Sequence, residues 1–352
     1  MCNRLMIIAK VTHRCNLRCS YCYLRDHDGP SMSLDTLDQV AQLGAAQALH
    51  RVTFLWHGGE PLAMGLDFYR AALLATRSCH QPSSLRHYLQ TNGTLITPEV
   101  ASFLADNHFK VGLSIDGPMH DSCRRTVSNE GSVAAVKRGI GYLHDAGVRF
   151  GVLAVLQPNN PIDIQSFYTF MNDLGAQTVK VQPLYGLRCP PSWPSQFRDM
   201  INTLLEMWIH DSTCATEWEP FVSIAKSFVT GGNTGCMFRR TCLGGEFLSV
   251  DPRGDVYLCG RLEGGSAPQI GSVAENLAVL RSRALCYHRE RDCAIADQCG
   301  ACRYYRYCFG GCAAEGFFLS GGLTQKTPFC DAYHDVFSRL EAVTEEIRGR
   351  MA

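Results

Sequence analysis

Thr12-His13-Arg14-Cys15-Asn16-Leu17-Arg18-Cys19-Ser20-Tyr21-Cys22 follows directly on an apolar, β-branched run, Met6 to Val11. That run reads as a strand, and the polar loop behind it carries three cysteines spaced CX3CX2C. Three thiolates in one loop can hold three irons of a [4Fe-4S] cube and leave the fourth iron open. A structural zinc ion would want a fourth protein ligand, with His13 and His27 the nearest, and the loop alone does not choose between the two.

Working outward, the same rhythm recurs from Leu5 to about Tyr185: a short apolar run, a polar or glycine-bearing loop, then a stretch of helical period. The runs are Met6 to Val11, Val52 to Trp56, His87 to Gln90, Lys110 to Ile115, Arg149 to Leu156 and Thr178 to Gln182. Helices are expected near Ser33 to His50, Asp67 to Thr76, Pro98 to Asn107, Ser132 to Ala146 and Ile162 to Leu174. Ser33 and Thr97 serve as N-caps, and Pro98 opens its helix. Six strands alternating with helices predict an α/β fold with a parallel sheet, an open doubly wound sheet or a partial barrel. Beyond Gln182 the rhythm stops. Cys189 to Pro194 is proline-rich, and a tryptophan-bearing helix is expected from Phe197 to Ile209. From Gly231 to Tyr333 glycine and cysteine dominate without long helical periods, so metal is expected to support a small core there. A last helix should run from Asp331 to Arg348. The expected divisions are 1–185, 186–230, 231–333 and 334–352.

The chain has 352 residues, 33 basic and 33 acidic, is 46% hydrophobic and contains 18 cysteines. Zero formal charge gives no broad positive field for phosphate backbones, so nucleic acid is not an expected partner. The apolar runs are too short to cross a bilayer, and Met1 to Lys10 lacks the pattern of a secretory signal, so no membrane partner and a cytoplasmic location are expected. In a reducing compartment so many cysteines imply metal or redox chemistry rather than disulfides.

Polar motifs stand at the strand ends. His57-Gly58-Gly59-Glu60-Pro61 follows the second strand and Gln90-Thr91-Asn92-Gly93 the third. Ser114-Ile115-Asp116-Gly117 follows the fourth, Leu156-Gln157-Pro158 the fifth and Gln182-Pro183 the sixth. Each alone is an ordinary turn. Together they are expected on the C-terminal face of the strands, where β/α barrels gather their active sites. With Tyr21 before the last cysteine, CX3CX2C and the Gly-Gly-Glu-Pro turn resemble the signature of the radical S-adenosylmethionine (SAM) superfamily. The resemblance implies a partial (β/α)6 TIM-type barrel whose open iron binds the amino and carboxylate groups of SAM. It implies that the backbone edge and acid of Gly58, Gly59, Glu60 and Pro61 accept hydrogen bonds from the methionyl ammonium. Tyr21, Asn92, Asp116 and Leu156 would line the cofactor, Ser114 would contact its ribose or carboxylate, and Arg124 or Arg125 would clamp the carboxylate.

A second series lies downstream. Gly254 and Cys259 form GX4C, Cys299, Cys302, Cys308 and Cys312 form CX2CX5CX3C, and Cys330 closes it. A zinc ribbon would use four of these and leave the others unexplained. The spacing is similar to that of the SPASM domain, which implies two auxiliary [4Fe-4S] clusters, and Cys236 and Cys242 resemble an upstream pair of anaerobic sulfatase-maturing enzymes. On that resemblance Cys236, Cys242, Cys259 and Cys312 hold one cluster and Cys299, Cys302, Cys308 and Cys330 the other. The remaining Cys2, Cys79, Cys123, Cys189, Cys214, Cys286 and Cys293 read as ordinary thiols. Catalytic residues are not assigned; Cys189 and Gln182, near the expected mouth, are the candidates.

The resemblance implies three [4Fe-4S] clusters, reductive cleavage of SAM to a 5′-deoxyadenosyl radical, and removal of a hydrogen from a peptide or protein side chain, ending in oxidation or cross-linking. A sugar or aminocyclitol dehydrogenase or epimerase is a second reading, an anaerobic sulfatase maturase a third, and a non-enzymatic electron carrier a fourth. Against the maturase, Gly260 stands directly after Cys259, where that family resemblance calls for an Asp proposed as base. The expected partners are the substrate, an electron donor such as flavodoxin or ferredoxin, and a separate leader-peptide-binding protein. The first strand is expected to open at once, without an N-terminal domain of about 80 to 100 residues, so a peptide would be bound by the barrel mouth and bridge or be delivered by such a separate protein.

Overall fold

The computed structural model describes residues 4–24, 28–45, 49–158, 162–186, 189–232, 235–263 and 267–347. Cys2, His27 and Arg348, named above, lie outside them. The described chain forms two compact units, one from Met1–Ser114, His120–Phe150 and Thr241–His288, the other from Ile115–Met119, Gly151–Arg240 and Arg289–Ala352.

In the first unit the strands are β1 (Arg4–Thr12), β2 (Arg51–Gly58), β3 (Leu85–Thr91) and β4 (Lys110–Ser114). The second unit carries β5 (Phe150–Leu156), β6 (Thr178–Pro183) and β7 (Glu217–Glu219), while β8 (Phe247–Val250), β9 (Asp255–Tyr257) and β10 (Gln269–Ser272) return to the first. The order in the first unit is β10-β9-β8-β1-β2-β3-β4, and β5-β6-β7 in the second. β1 is parallel to both of its neighbours, β2 and β8. Leu5, Ile7, Ala9 and Val11 are buried on one face of it and Lys10 and Thr12 on the other, as a central parallel strand requires. Register slips between Lys10 and Thr12, which turns the chain out of the sheet into the cysteine loop.

All six expected strands are present, each within two residues of its expected start and end. Ser33 caps its helix by accepting from Thr36 N at 3.1 Å, and Thr97 accepts from Val100 N at 3.2 Å, each cap contributing about 1 kcal/mol. The helix expected to reach His50 ends at Gln42. Gly44 explains the stop: its φ of +85° is left-handed, and a Cβ there would meet Leu5, Leu49 and Leu277 at 3.1 Å.

Two further expectations need correction. Four additional strands exist, each of three or four residues, too short for a period-2 signal. The region 231–333 does contain a long helix, Leu277–Cys299. Its buried residues, Leu277, Leu280, Ala284, Arg291, Ile295 and Cys299, form a stripe one residue wide with an arginine in the middle. The usual broad apolar face is therefore missing from the sequence.

In the second unit the helices Trp193–His210 and Cys330–Ile347 pack together. Phe197 meets Phe329 edge-on at 5.0 Å, and Arg339 makes a bidentate pair with Glu206 at 2.6 and 2.9 Å. A further helix, Phe221–Thr230, ends at Gly231 in the left-handed conformation.

A cysteine loop knotted to the strand ends, and a second cysteine cavity

The loop after β1 is tied down mainly by main chain. His13 N donates to Pro30 O at 2.9 Å, Arg18 N to Arg125 O at 2.7 Å and Ser20 N to Cys123 O at 2.9 Å. From β2, Gly59 N donates to Thr12 O at 2.7 Å and Glu60 N to Arg14 O at 2.8 Å. That approach is possible only for glycine. A Cβ on Gly58 would lie 2.3 Å from Thr12 O, and one on Gly59 2.3 Å from Arg14 O and 2.4 Å from His13 O. The two glycines thus have a local reason to be there besides the cofactor role that sequence resemblance implies.

Glu60 is fully buried. Its carboxylate accepts from Leu62 N at 2.9 Å, Thr91 Oγ1 at 2.6 Å and Asn92 N at 2.7 Å, so one side chain knots the ends of β2 and β3. Burial raises its pKa above the usual carboxylate range, against those donors, which favour the ionised form. Pro61 O accepts from Tyr69 OH at 2.8 Å. Asn92 Nδ2 lies 3.9 Å from Cys15 Sγ and donates to Asn16 Oδ1 at 2.9 Å. Ser114 Oγ accepts from Gln90 Nε2 at 3.0 Å. His57 is neutral: burial, then the charge of Lys10, hold its pKa down at about 3, and its Nδ1 accepts from Gly58 N.

The two arginines separate. The Arg124 guanidinium is buried and lies 5.3 Å from the centre of the Tyr21 ring, whereas Arg125 is exposed and donates to Asn129 O at 2.9 Å. Both meet the cysteine loop, Arg125 through its carbonyl, but of the two guanidiniums it is that of Arg124 which lies against a side chain of the loop.

Sequence reasoning missed a buried group in the same unit. Lys10, wholly inaccessible, contacts the Glu263 carboxylate, which also meets His13 Nε2 at 2.9 Å, and its ammonium lies 4.6 Å from the centre of the Tyr23 ring. Lys10 was hidden inside a strand otherwise apolar, and Glu263 stands 250 residues from His13, so no local pattern links them. A Cβ on Gly260 would meet the Ile8 side chain at 3.1 Å, a tight contact.

In the second unit, Asp116 is buried and its Oδ1 accepts from Val155 N at 3.1 Å, beside Leu156. Gln182 is buried on β6; Cys189 is half-buried with Sγ 3.5 Å from Leu184 O. Cys299, Cys302, Cys308 and Cys330 line one cavity of about 80 Å³ together with Phe238, Tyr304, Tyr333 and Phe337. Cys242 and Cys259 belong to the first unit, Cys236 and Cys312 to the second.

Four thiols on one cavity are the donor set that a [4Fe-4S] cube takes. Burial pushes the thiols of Cys15 and Cys308 up to about 12, so with no cation beside them they stay protonated at neutral pH. Among the described residues no three His, Cys, Asp or Glu side chains converge as tightly as one metal ion needs.

Residues 9–171 match the family model described as the radical SAM superfamily. Residues 9–171 thus form a radical SAM domain, and members of that superfamily are enzymes. It is 23% identical over 362 residues to the cysteine-type anaerobic sulfatase-maturating enzyme of Clostridium perfringens, covering 94% of this chain and 95% of that one. To the serine-type enzyme of Klebsiella aerogenes it is 28% identical, covering 93% and 83%. The solved structure of native anSMEcpe with bound AdoMet superposes with a TM-score of 0.85 at 22% identity, covering 97% of this chain and 99% of that one. The mixed α/β fold with its parallel sheet is therefore the fold of these enzymes. The cofactors expected from sequence, SAM and three [4Fe-4S] clusters, are those of the anaerobic sulfatase-maturating enzymes that the chain resembles. No helix among the described residues is long and apolar enough to cross a membrane.

Proposed function

We propose that this radical SAM enzyme oxidises or cross-links a side chain of a peptide or protein. The observation that carries the reading is the knot of Cys15, Glu60 and Asn92 at the ends of β1, β2 and β3. Cys15, Cys19 and Cys22 would hold the SAM-binding cluster, which with SAM supplies a 5′-deoxyadenosyl radical able to remove a hydrogen atom from an unactivated carbon. Arg124 is the carboxylate clamp. Gly58, Gly59, Glu60 and Asn92 keep the cofactor's surroundings rigid, so that proximity does the protein's share of the work.

Peptide as the substrate class is supported by relatives named as sulfatase-maturating enzymes over nearly their whole length and by a solved relative carrying AdoMet and a Cp18Cys peptide. Gly260, beside Ile8, stands where the maturase resemblance calls for an Asp as base, which counts against that particular activity. The C-terminal cysteines would hold two auxiliary clusters, Cys236, Cys242, Cys259 and Cys312 the first and Cys299, Cys302, Cys308 and Cys330 the second.

The test is anaerobic reconstitution of the full chain, then SAM and dithionite with and without candidate peptides. The expected results are about twelve irons per chain from three cubes, formation of 5′-deoxyadenosine, and a peptide lighter by two hydrogens. A protein holding zinc and releasing no 5′-deoxyadenosine would overturn the reading. Turnover of a sugar or aminocyclitol but of no peptide would move it to the small-molecule class.

A further inference from the structure

Eight residues before Cys299, on the same helix, Arg291 is only 6% exposed. Its guanidinium donates to four carbonyls drawn from two separate loops. Leu323 O lies at 2.5 Å and Gln325 O at 2.8 Å, in the loop that leads to Cys330; Gly311 O at 2.9 Å and Gly310 O at 3.4 Å lie between Cys308 and Cys312. Gly310 and Gly311 take φ of +75° and +74°, and a Cβ on them would strike Ile295 at 2.6 Å and Thr327 at 2.3 Å. Only glycines can turn both carbonyls inward here.

The loops are also sewn to each other. Thr327 N donates to Gly310 O at 2.9 Å, and Thr327 Oγ1 donates to the buried Glu315 carboxylate at 2.6 Å. Gly310, Gly311 and Thr327 all line the cavity that the four cysteines share. The arginine is thus the common anchor for the backbone on two sides of that cavity. A guanidinium keeps its charge at any working pH, and its five donors match several carbonyls at once.

We propose that Arg291 is a positioning residue of this cavity, setting the loops that present Cys308 and Cys330 and raising the reduction potential of the cluster held there. The inference rests on the reading above that Cys299, Cys302, Cys308 and Cys330 hold a [4Fe-4S] cluster. A cluster that has taken up one electron is one unit more negative than before. A fixed positive charge in a poorly polarisable surrounding favours that reduced form, and outer-shell hydrogen bonding and charge are known levers on cluster potential.

The test uses the full-length, anaerobically reconstituted chain and two readouts, iron per chain and the midpoint potential of each cluster followed by electron paramagnetic resonance. Cys302→Ala first identifies the signal of this site, by losing it together with about four irons. Arg291→Gln, which removes the charge, is expected to shift that signal's potential downward while the other two clusters stay put. Arg291→Lys, which keeps the charge but not the fork, is expected to hold less iron at this site with its potential unshifted. An unshifted potential in Arg291→Gln overturns the inference, as does a full iron complement with a lowered potential in Arg291→Lys. If Arg291→Gln holds no cluster at all, Arg291→Lys alone decides by the same criterion. Equal iron in the parent chain and Cys302→Ala would instead overturn the cluster reading itself.

Discussion

The two cysteine sites are built by different means. Around Cys15, Cys19 and Cys22 the ties are mainly backbone to backbone, with strand ends, a bulge and two glycines bringing chain against chain. Around Cys299, Cys302, Cys308 and Cys330 the walls are aromatic side chains, and the loops hang on one arginine and one threonine. A site made from sheet hydrogen bonds is prepared by the fold before metal arrives. A site made from loops around a cavity gains more of its order from the metal.

Four experiments would break or sharpen this contrast. The largest effect is expected from Cys15→Ala, which should remove about four irons and bring 5′-deoxyadenosine formation to background while the signals of the other clusters persist. Loss of all three signals would mean that the sites are not independent. Next comes Gly59→Ala. The new methyl would collide with main-chain oxygens of Arg14 and His13, which unlike side chains have no rotamer to escape into, and a loss of about 3 kcal/mol is expected in chemical denaturation. A near-neutral result would show that the loop is less firmly built than its hydrogen bonds suggest.

Acid should weaken the sheet beneath the first site. His87 on β3 is buried, stacks on Trp56 at 6.0 Å and on Phe109 at 5.4 Å, and accepts from Trp56 Nε1 at 3.3 Å. Burial, and secondarily the charge of Arg77, lower its pKa from 6.5 to about 4. Between these values the unfolded chain binds a proton that the folded chain refuses, so stability present above pH 6.5 falls as pH drops toward 4. The full loss is about 3 kcal/mol. His87→Phe should make the unfolding midpoint fall less steeply across that window, with His57, held down at about 3, keeping the remainder; an unchanged slope would assign the acid sensitivity elsewhere. The smallest effect is expected at Arg125, whose exposed side chain should go to Ala within about 0.5 kcal/mol and with SAM binding unaltered. Arg124→Ala, by contrast, should raise the KM for SAM. Equal behaviour of the two would remove Arg124 as the clamp.

Legibility followed the range of the interactions. The six long strands and the caps at Ser33 and Thr97 could be read because β-branched runs and capping hydroxyls act within a few residues. β8 could not, although it flanks β1, because its four residues, the last three of them buried, carry no alternation. The helix Leu277–Cys299 was missed because Arg291 occupies the core position that apolar periodicity needs. Within the first site the cysteines, the Gly-Gly-Glu-Pro turn and Asn92 were all legible as local motifs. Lys10 with Glu263 was not, and neither was the choice between Arg124 and Arg125, which are neighbours in sequence and differ only in what surrounds them.

The sequence by itself determined the chemistry on offer: the spacing of thiols in short loops, and the alternation of strand and helix that sets polar turns at strand ends. Those are local properties, carried by bond geometry and by neighbours along the chain. Tertiary structure alone decided which charges are buried and against what: Glu60 accepting from three donors, Lys10 paired across the chain, Arg291 gathering four carbonyls. The physical reason is desolvation. A charge is tolerated inside a protein only where partners from distant segments meet it, and no single stretch of sequence contains that meeting.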